Sequence, residues 1–265
     1  MGIPNTQLER WSKQGAQVNA QRTHNEIRNA LKNIAWTGIT KKEYLQGSYK
    51  NHTNIHGNSD VDLVVELNAS WLFGFDDFSL FKQAILNSIA NHSKKSVTSG
   101  AKSIKVANSP LNADVVVCQL VTYGSVEGIR FFAQNGREII NFPNQHYENG
   151  ADKNNRTNGI YKPTVRIFKN MRDRLIRDGK LDAKTAPSYF VECLLYNVPN
   201  SNFINVCHCT VLNVINWLMK NGTNEDLVCQ NRQGSLYGDV PEQWSIEYAD
   251  RLIYALFNMW YDWGK

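Results

Sequence analysis

The strongest chemical signal in the sequence is a spaced set of small and acidic residues. Gly47-Ser48 is followed after eleven residues by Asp60-Val61-Asp62, and later by Asp114 at the head of a β-branched run, NADVVVCQLV over 112–121. In an extended segment residues two apart share a face, so Asp60 and Asp62 would project together while Val61 enters the core. Carboxylates placed side by side repel unless a cation neutralises them, and Mg²⁺ favours a few carboxylates completed by waters and phosphates. A third carboxylate from a neighbouring strand lets two ions sit a few Å apart. One would activate an attacking hydroxyl while the other holds a triphosphate and its leaving group. Gly47 lets backbone amides approach a phosphate closely, and Ser48 adds a donor without bulk. An isolated Asp-x-Asp is most often a solvated strand end. The Gly-Ser turn before it and Asp114 after it favour the metal site.

Such residues need a scaffold, and the apolar periodicity suggests one. Leu8, Trp11, Gly15, Val18, Arg22, Ile27, Leu31 and Ile34 predict a long helix over 6–35. Strands are expected over 44–48, 61–67, 103–106 and 112–121. A helix capped by Asp76 or Asp77 carries Phe78, Phe81, Ile85, Leu86 and Ile89, and Asn135-Gly136 marks a hairpin. A polar Asn- and Lys-rich loop is expected over 145–158. Helices follow over 160–177, 186–197, 203–220 and 245–263, the last packing through its aromatic residues. An α/β part thus precedes an all-helical part, with a cleft between them as the natural ligand site.

Composition narrows the class further. Hydrophobic residues at 42% and charged residues at 20% support a folded core and exclude wholesale disorder. A net charge of +5 suits an anionic small ligand and falls short of a nucleic-acid-binding surplus. Five cysteines, an odd number, argue against a disulfide framework and for a reducing cytoplasm. Cys207-His208-Cys209 lies in an apolar helical stretch with no second Cys/His pair, so buried helix cysteines are favoured over zinc. No secretory h-region or membrane-length apolar run is visible, and Gly2 with Thr6 matches a myristoylation pattern only loosely.

Leu45-Gln46-Gly47-Ser48-Tyr49, Ser59-Asp60-Val61-Asp62-Leu63-Val64 and Ala113-Asp114-Val115-Val116 resemble the motifs of the polymerase-β-like nucleotidyltransferases. Within that superfamily the chain resembles the bacterial CD-NTases, relatives of the animal cyclic GMP-AMP synthase and of oligoadenylate synthases. Gly159 to Lys162 and Arg166 to Lys169 resemble the helix that supplies a triphosphate-binding lysine, and Ala186 to Leu194 resembles the Ser-x-x-x-Glu helix after it. The resemblance implies an α+β fold: a polymerase-β-like nucleotidyltransferase sheet core over 1–145, then a C-terminal helical lobe over 146–265 completing the nucleotide cleft. The long N-terminal helix would brace both. Asp60, Asp62 and Asp114 would be catalytic and hold two Mg²⁺ ions, with Mn²⁺ as a substitute. Gln46, Gly47, Ser48, Lys169 and Ser188 would bind the nucleotide. The substrates would be NTPs (ATP and/or UTP, GTP or CTP), and the product a cyclic di- or oligonucleotide released with pyrophosphate. That product would activate a separate effector protein in anti-phage signalling, in the cytoplasm, with no membrane and no obligate nucleic acid. Two alternatives remain: a linear oligonucleotide or RNA-tailing enzyme, which should need a longer basic track, and a non-catalytic nucleotide-sensing module, which should have lost a carboxylate.

Secondary candidates accompany these. Lys162, Arg166 and Lys169 recur at helical spacing opposite Val165, Phe168 and Leu175; such a stripe alone is usually a solvated face, and the upstream motifs raise phosphate binding for Lys169. Asn154, Asn155 and Asn158 lie where the resemblance expects a base pocket, and Lys153 where it expects a phosphate contact. Tyr189 is either a base-stacking surface or core. His52 and His56 suit a loop or a nucleotide contact better than a metal.

Overall fold

The computed structural model describes residues 2–57, 60–93, 96–107 and 111–264; Ser59 of the aspartate motif lies outside them. The β-branched runs form the middle of a mixed sheet. Its order is β1 (Thr40–Gln46), β2 (Val61–Asn68), β5 (Ala113–Tyr123), β4 (Ile104–Ala107), β3 (Ser96–Ser99). β6 (Val126–Phe132) pairs with the later part of β5, and β7 (Glu138–Asn141) with β6. Among the described strand pairs of this sheet only the central one, β2 with β5, is parallel. Val61, Leu63, Val64, Val65 and Leu67 are fully buried, the near-continuous apolar run expected of a strand covered on both faces. Gly136 takes φ 82° at the β6–β7 turn, a conformation glycine adopts without steric cost.

The chain divides into two compact units, Gly15–Asn144 and Met1–Gln14 with Gln145–Lys265, each around its own core. In the sheet unit α2 (Val18–Leu31) and α4 (Phe75–Ser93) pack together and against the sheet. α3 (Gly47–Asn51) is one short turn after β1. The helical unit holds α1 (Asn5–Ser12), α5 (Pro143–Arg156) from Gln145 onward, α6 (Tyr161–Arg177), α7 (Ser188–Tyr196), α8 (Cys207–Asn221) and α9 (Ile246–Tyr261).

Three expectations are corrected. The single long helix over 6–35 is two helices, α1 and α2, grouped with different units, so residues 1–14 belong with the helical unit. Between them Lys13 is extended, and Gly15 both donates to the Asn54 carbonyl (3.1 Å) and accepts from Asn54 Nδ2 (3.0 Å). A Cβ at Gly15 would press on the Ile55 carbonyl, so the glycine that seemed to continue the apolar face marks its break.

The polar loop over 145–158 is the helix α5. Its inward face repeats at helical spacing but is made of His146, Gly150 and Lys153, followed by buried Thr157, so an apolar period could not reveal it. On α9 the packed face is Ala249, Leu252, Ile253, Leu256 and Trp260, whereas Tyr248, Tyr254 and Tyr261 are exposed.

The Cys207-His208-Cys209 triplet opens α8 with both thiols half-buried and the His208 ring 4.6 Å from that of Trp260. At the N-terminus Ile3 is fully buried and Gly2, the glycine of the loose acylation pattern, backs onto the Trp260 indole. No described helix is long and apolar enough to cross a membrane.

Candidate active site

Strand register places four polar side chains in one row across the sheet. Gln46 on β1 pairs with Asp62 on β2, Asp62 with Asp114 on β5, and Asp114 with Lys105 on β4. Cross-strand partners share a face at a strand spacing of about 4.8 Å. An amide, two carboxylates and an ammonium therefore stand in line. Lys105 Nζ closes on Asp114 Oδ2 at 2.5 Å. Asp60 lies just before β2 and is exposed, while Val61 between the two aspartates is fully buried. The Tyr49 phenol of α3 is pushed up by its burial and then by the Asp60 charge.

The turn from β1 into α3 depends on Gly47. Its φ is 63°, and a Cβ there would overlap the Asp62 carboxylate. A left-handed conformation costs other residues roughly 1–2 kcal/mol, and the overlap adds to it. Gly47→Ala is expected to lower the unfolding free energy by about 2 kcal/mol. It should cut turnover about a hundredfold by displacing Asp62; urea melts with steady-state rates check both. Ser48 is half-buried and its carbonyl accepts the Thr53 N–H at 2.9 Å. Beside Asp62, Gln46 Oε1 is buried with no hydrogen-bond partner among the described residues, an acceptor left open in the row.

The donors are all hard oxygens, the chemistry that suits Mg²⁺ or Mn²⁺. Among the described residues no three His, Cys, Asp or Glu side chains converge closely enough to hold an ion as they stand. Asp114 instead leans toward Lys105.

The helical unit carries the other candidates. Ser188 is exposed and is the first residue of α7; Pro187 is the cap, and no side chain caps the helix. Lys169 on α6 is buried, its ammonium ion-paired with Glu192 Oε1 of α7. Glu192 Oε2 lies 3.0 Å from His146 Nε2, and the His146 ring stacks on Tyr189 at 4.8 Å. Burial alone would push Glu192 up, but the Lys169 charge and the His146 hydrogen bond outweigh it and hold the carboxyl well below the usual range. Tyr189 packs between His146 and Trp244, the core alternative.

Lys153 does not face solvent as a phosphate ligand would. It donates to the Val198 carbonyl (2.6 Å) and Asn200 Oδ1 (3.2 Å) among the rings of Tyr161, Tyr196 and Phe203. Burial, with Arg156 nearby, pushes it down to about 8. Arg166 of the basic stripe is likewise turned inward, its Nε bonded to the Ser12 carbonyl and its pKa pushed down by burial to about 10. Asn154 Oδ1 accepts the Lys162 N–H at the start of α6, while Asn155 and Asn158 are exposed, the latter left-handed. His52 pairs with Gln17 in the loop after α3, and the neighbouring Asn54 is fully buried.

Sequence reasoning assigned no role to Lys105 or His146, and Glu192 entered it only as the acidic residue of the Ser-x-x-x-Glu helix. Lys105 shows only as the exposed member of an alternating strand, and the Lys169–Glu192 pair spans 23 positions on two helices.

Known proteins resemble this arrangement along its whole length. Residues 148–261 match the family described as cGAS/DncV-like nucleotidyltransferase C-terminal helical domain. The chain is 44% identical to the cyclic UMP-AMP synthase of Rhodothermus marinus, over 100% of both proteins. It is 36% identical to the cyclic nucleotide synthase CdnE01 of Staphylococcus haemolyticus, over 99% of this chain and 100% of that one. The solved structure of Rhodothermus marinus CdnE c-UMP-AMP synthase with Apcpp and Upnpp matches with a TM-score of 0.88 at 41% identity, covering 99% of this chain and 98% of that one. Full-length identity at this level, on a sheet that lines up its aspartates, makes the chain a member of the cGAS/DncV-like nucleotidyltransferases, the CD-NTases.

Proposed function

We propose that this protein joins NTPs into a cyclic di- or oligonucleotide, using two Mg²⁺ ions held by Asp60, Asp62 and Asp114 and releasing pyrophosphate. The observation that carries the reading is the direct register of Asp62 with Asp114 on adjacent parallel strands, with Asp60 two residues upstream. Bound divalent cations would supply charge neutralisation and a more acidic attacking hydroxyl. Asp114 accepts the proton of that ribose hydroxyl. Ser48 donates to a phosphate oxygen at a turn whose backbone Gly47 leaves open. In the helical unit Ser188 and the first-turn amides of α7 present donors suited to an anion. For Lys169 to join in phosphate binding, its ammonium must exchange Glu192 for phosphate.

The relatives are named for cyclic products, and one was solved with Apcpp and Upnpp, so ATP with UTP is the first pair to test here. The role we infer is cytoplasmic anti-phage signalling, with the product activating a separate effector. The test incubates the purified protein with labelled NTPs and Mg²⁺ or Mn²⁺. A phosphatase-resistant product that disappears in the Asp60→Asn, Asp62→Asn double variant is expected. A product that phosphatase degrades, or an RNA primer extended in its place, overturns the cyclic reading.

A further inference from the structure

We propose that Lys105 is a built-in counter-ion for the metal site: its ammonium neutralises Asp114 in the metal-free protein and gives that carboxylate up when a divalent cation binds. The inference rests on reading Asp60, Asp62 and Asp114 as the metal site.

Lys105 and Asp114 are direct register partners on β4 and β5, and their charged atoms meet at 2.5 Å. The same row continues to Asp62. Without a cation, two carboxylates on adjacent strands face each other in a half-buried setting and repel. Lys105 supplies a positive charge at the end of that row. Its side chain is 54% exposed and that of Asp114 24%, so the ammonium can swing into water while β4 keeps its ladder. The stem passes beside Gly100, where a Cβ would sit 3.2 Å from the Lys105 Cγ. Lysine suits the task better than arginine would for strength, because a point charge on a flexible stem makes no bidentate clamp on the carboxylate.

An ordinary surface ion pair would affect little beyond itself. A counter-ion competing with the metal has a distinct consequence, since divalent affinity then includes the work of displacing it. An opposite charge at this range lowers a carboxylate's proton affinity by 1–3 powers of ten in general, and a divalent cation competing for the same oxygens meets the same charge; a half-exposed site falls at the low end. Removing the ammonium should therefore tighten metal binding about tenfold.

The test measures Mn²⁺ binding to the full chain without nucleotide, from the electron paramagnetic resonance signal of free Mn²⁺. Wild type, Lys105→Met, Lys105→Gln, Lys105→Arg and the Asp60→Asn, Asp62→Asn double variant are compared. Lys105→Met and Lys105→Gln should bind about tenfold more tightly and Lys105→Arg no more tightly than wild type, with melting in EDTA lowered for the two neutral variants and restored by Mn²⁺. Two neutral variants, one apolar and one polar, separate the lost charge from a local packing effect. If wild type binds Mn²⁺ and both neutral variants bind with unchanged or weaker affinity, the counter-ion role is overturned alone. If wild type binds no Mn²⁺, or the double aspartate variant binds as wild type does, the metal-site reading falls and this proposal with it.

Discussion

Asp62→Asn is expected to reduce nucleotide transfer by about 10³-fold or more, because in the proposed site it removes a charge that would hold the cations balancing the phosphates. Asp62 occupies the middle of the row, with Gln46 on one side and Asp114 on the other. Asparagine keeps its size, so the close approach to Gly47 survives. It also removes the repulsion between the Asp62 and Asp114 carboxylates, and melting should stay within about 2 °C of wild type or rise. Activity loss without stability loss separates chemistry from folding. The measurement pairs product quantification by chromatography with a thermal melt. Turnover within tenfold of wild type would remove Asp62 from the reaction.

Much of this row was legible because two local signals agree. Asp60 and Asp62 flank a valine in a run whose apolar residues can only be a buried strand, and glycine before serine is what a tight strand end requires. Lys105 was not legible for a physical reason. Its strand alternates cleanly, but which residue of β5 it faces depends on register, and register is set by the whole sheet.

The helix α5 was missed because its buried positions are His146, Gly150 and Lys153. Glu192 and the Val198 carbonyl compensate the burial of His146 and Lys153, and Gly150 leaves room for the Gln230 side chain. A pattern search over apolar residues has no access to partners 45 or more positions away. The N-terminal break failed differently. Gly15 fits an apolar stripe by spacing, yet its conformation answers to Asn54 in another part of the chain. Local periodicity reports which face is inward only where the inward face is apolar.

Glu192→Leu is expected to cost about 3–5 kcal/mol of unfolding free energy, the usual result of removing one partner of a buried ion pair. Lys169 is 2% exposed, and with Glu192 gone its ammonium has lost the carboxylate that compensates its burial. Replacing both charges is another matter. The Lys169→Met, Glu192→Leu double variant takes both ions out of the interior, and its stability should return to within about 1–2 kcal/mol of wild type.

The pH dependence follows from the same pair. Glu192 is held below its ordinary value of 4.5, so the folded state releases its proton more readily than the unfolded state. Its contribution is complete above that ordinary value and declines as pH falls below it. Wild type should lose this increment on acidification from about pH 5, whereas the double variant should lose less over the same range. Denaturant titrations from pH 7 to about 3 measure both effects. A single-variant cost under about 1 kcal/mol, or a double variant no more stable than the single, would show that the pair contributes little. Because Glu192 lies one turn beyond Ser188 on α7, the single variant should also disturb the start of that helix. The double variant also removes the lysine proposed to bind the triphosphate, so its activity should fall even where its stability returns.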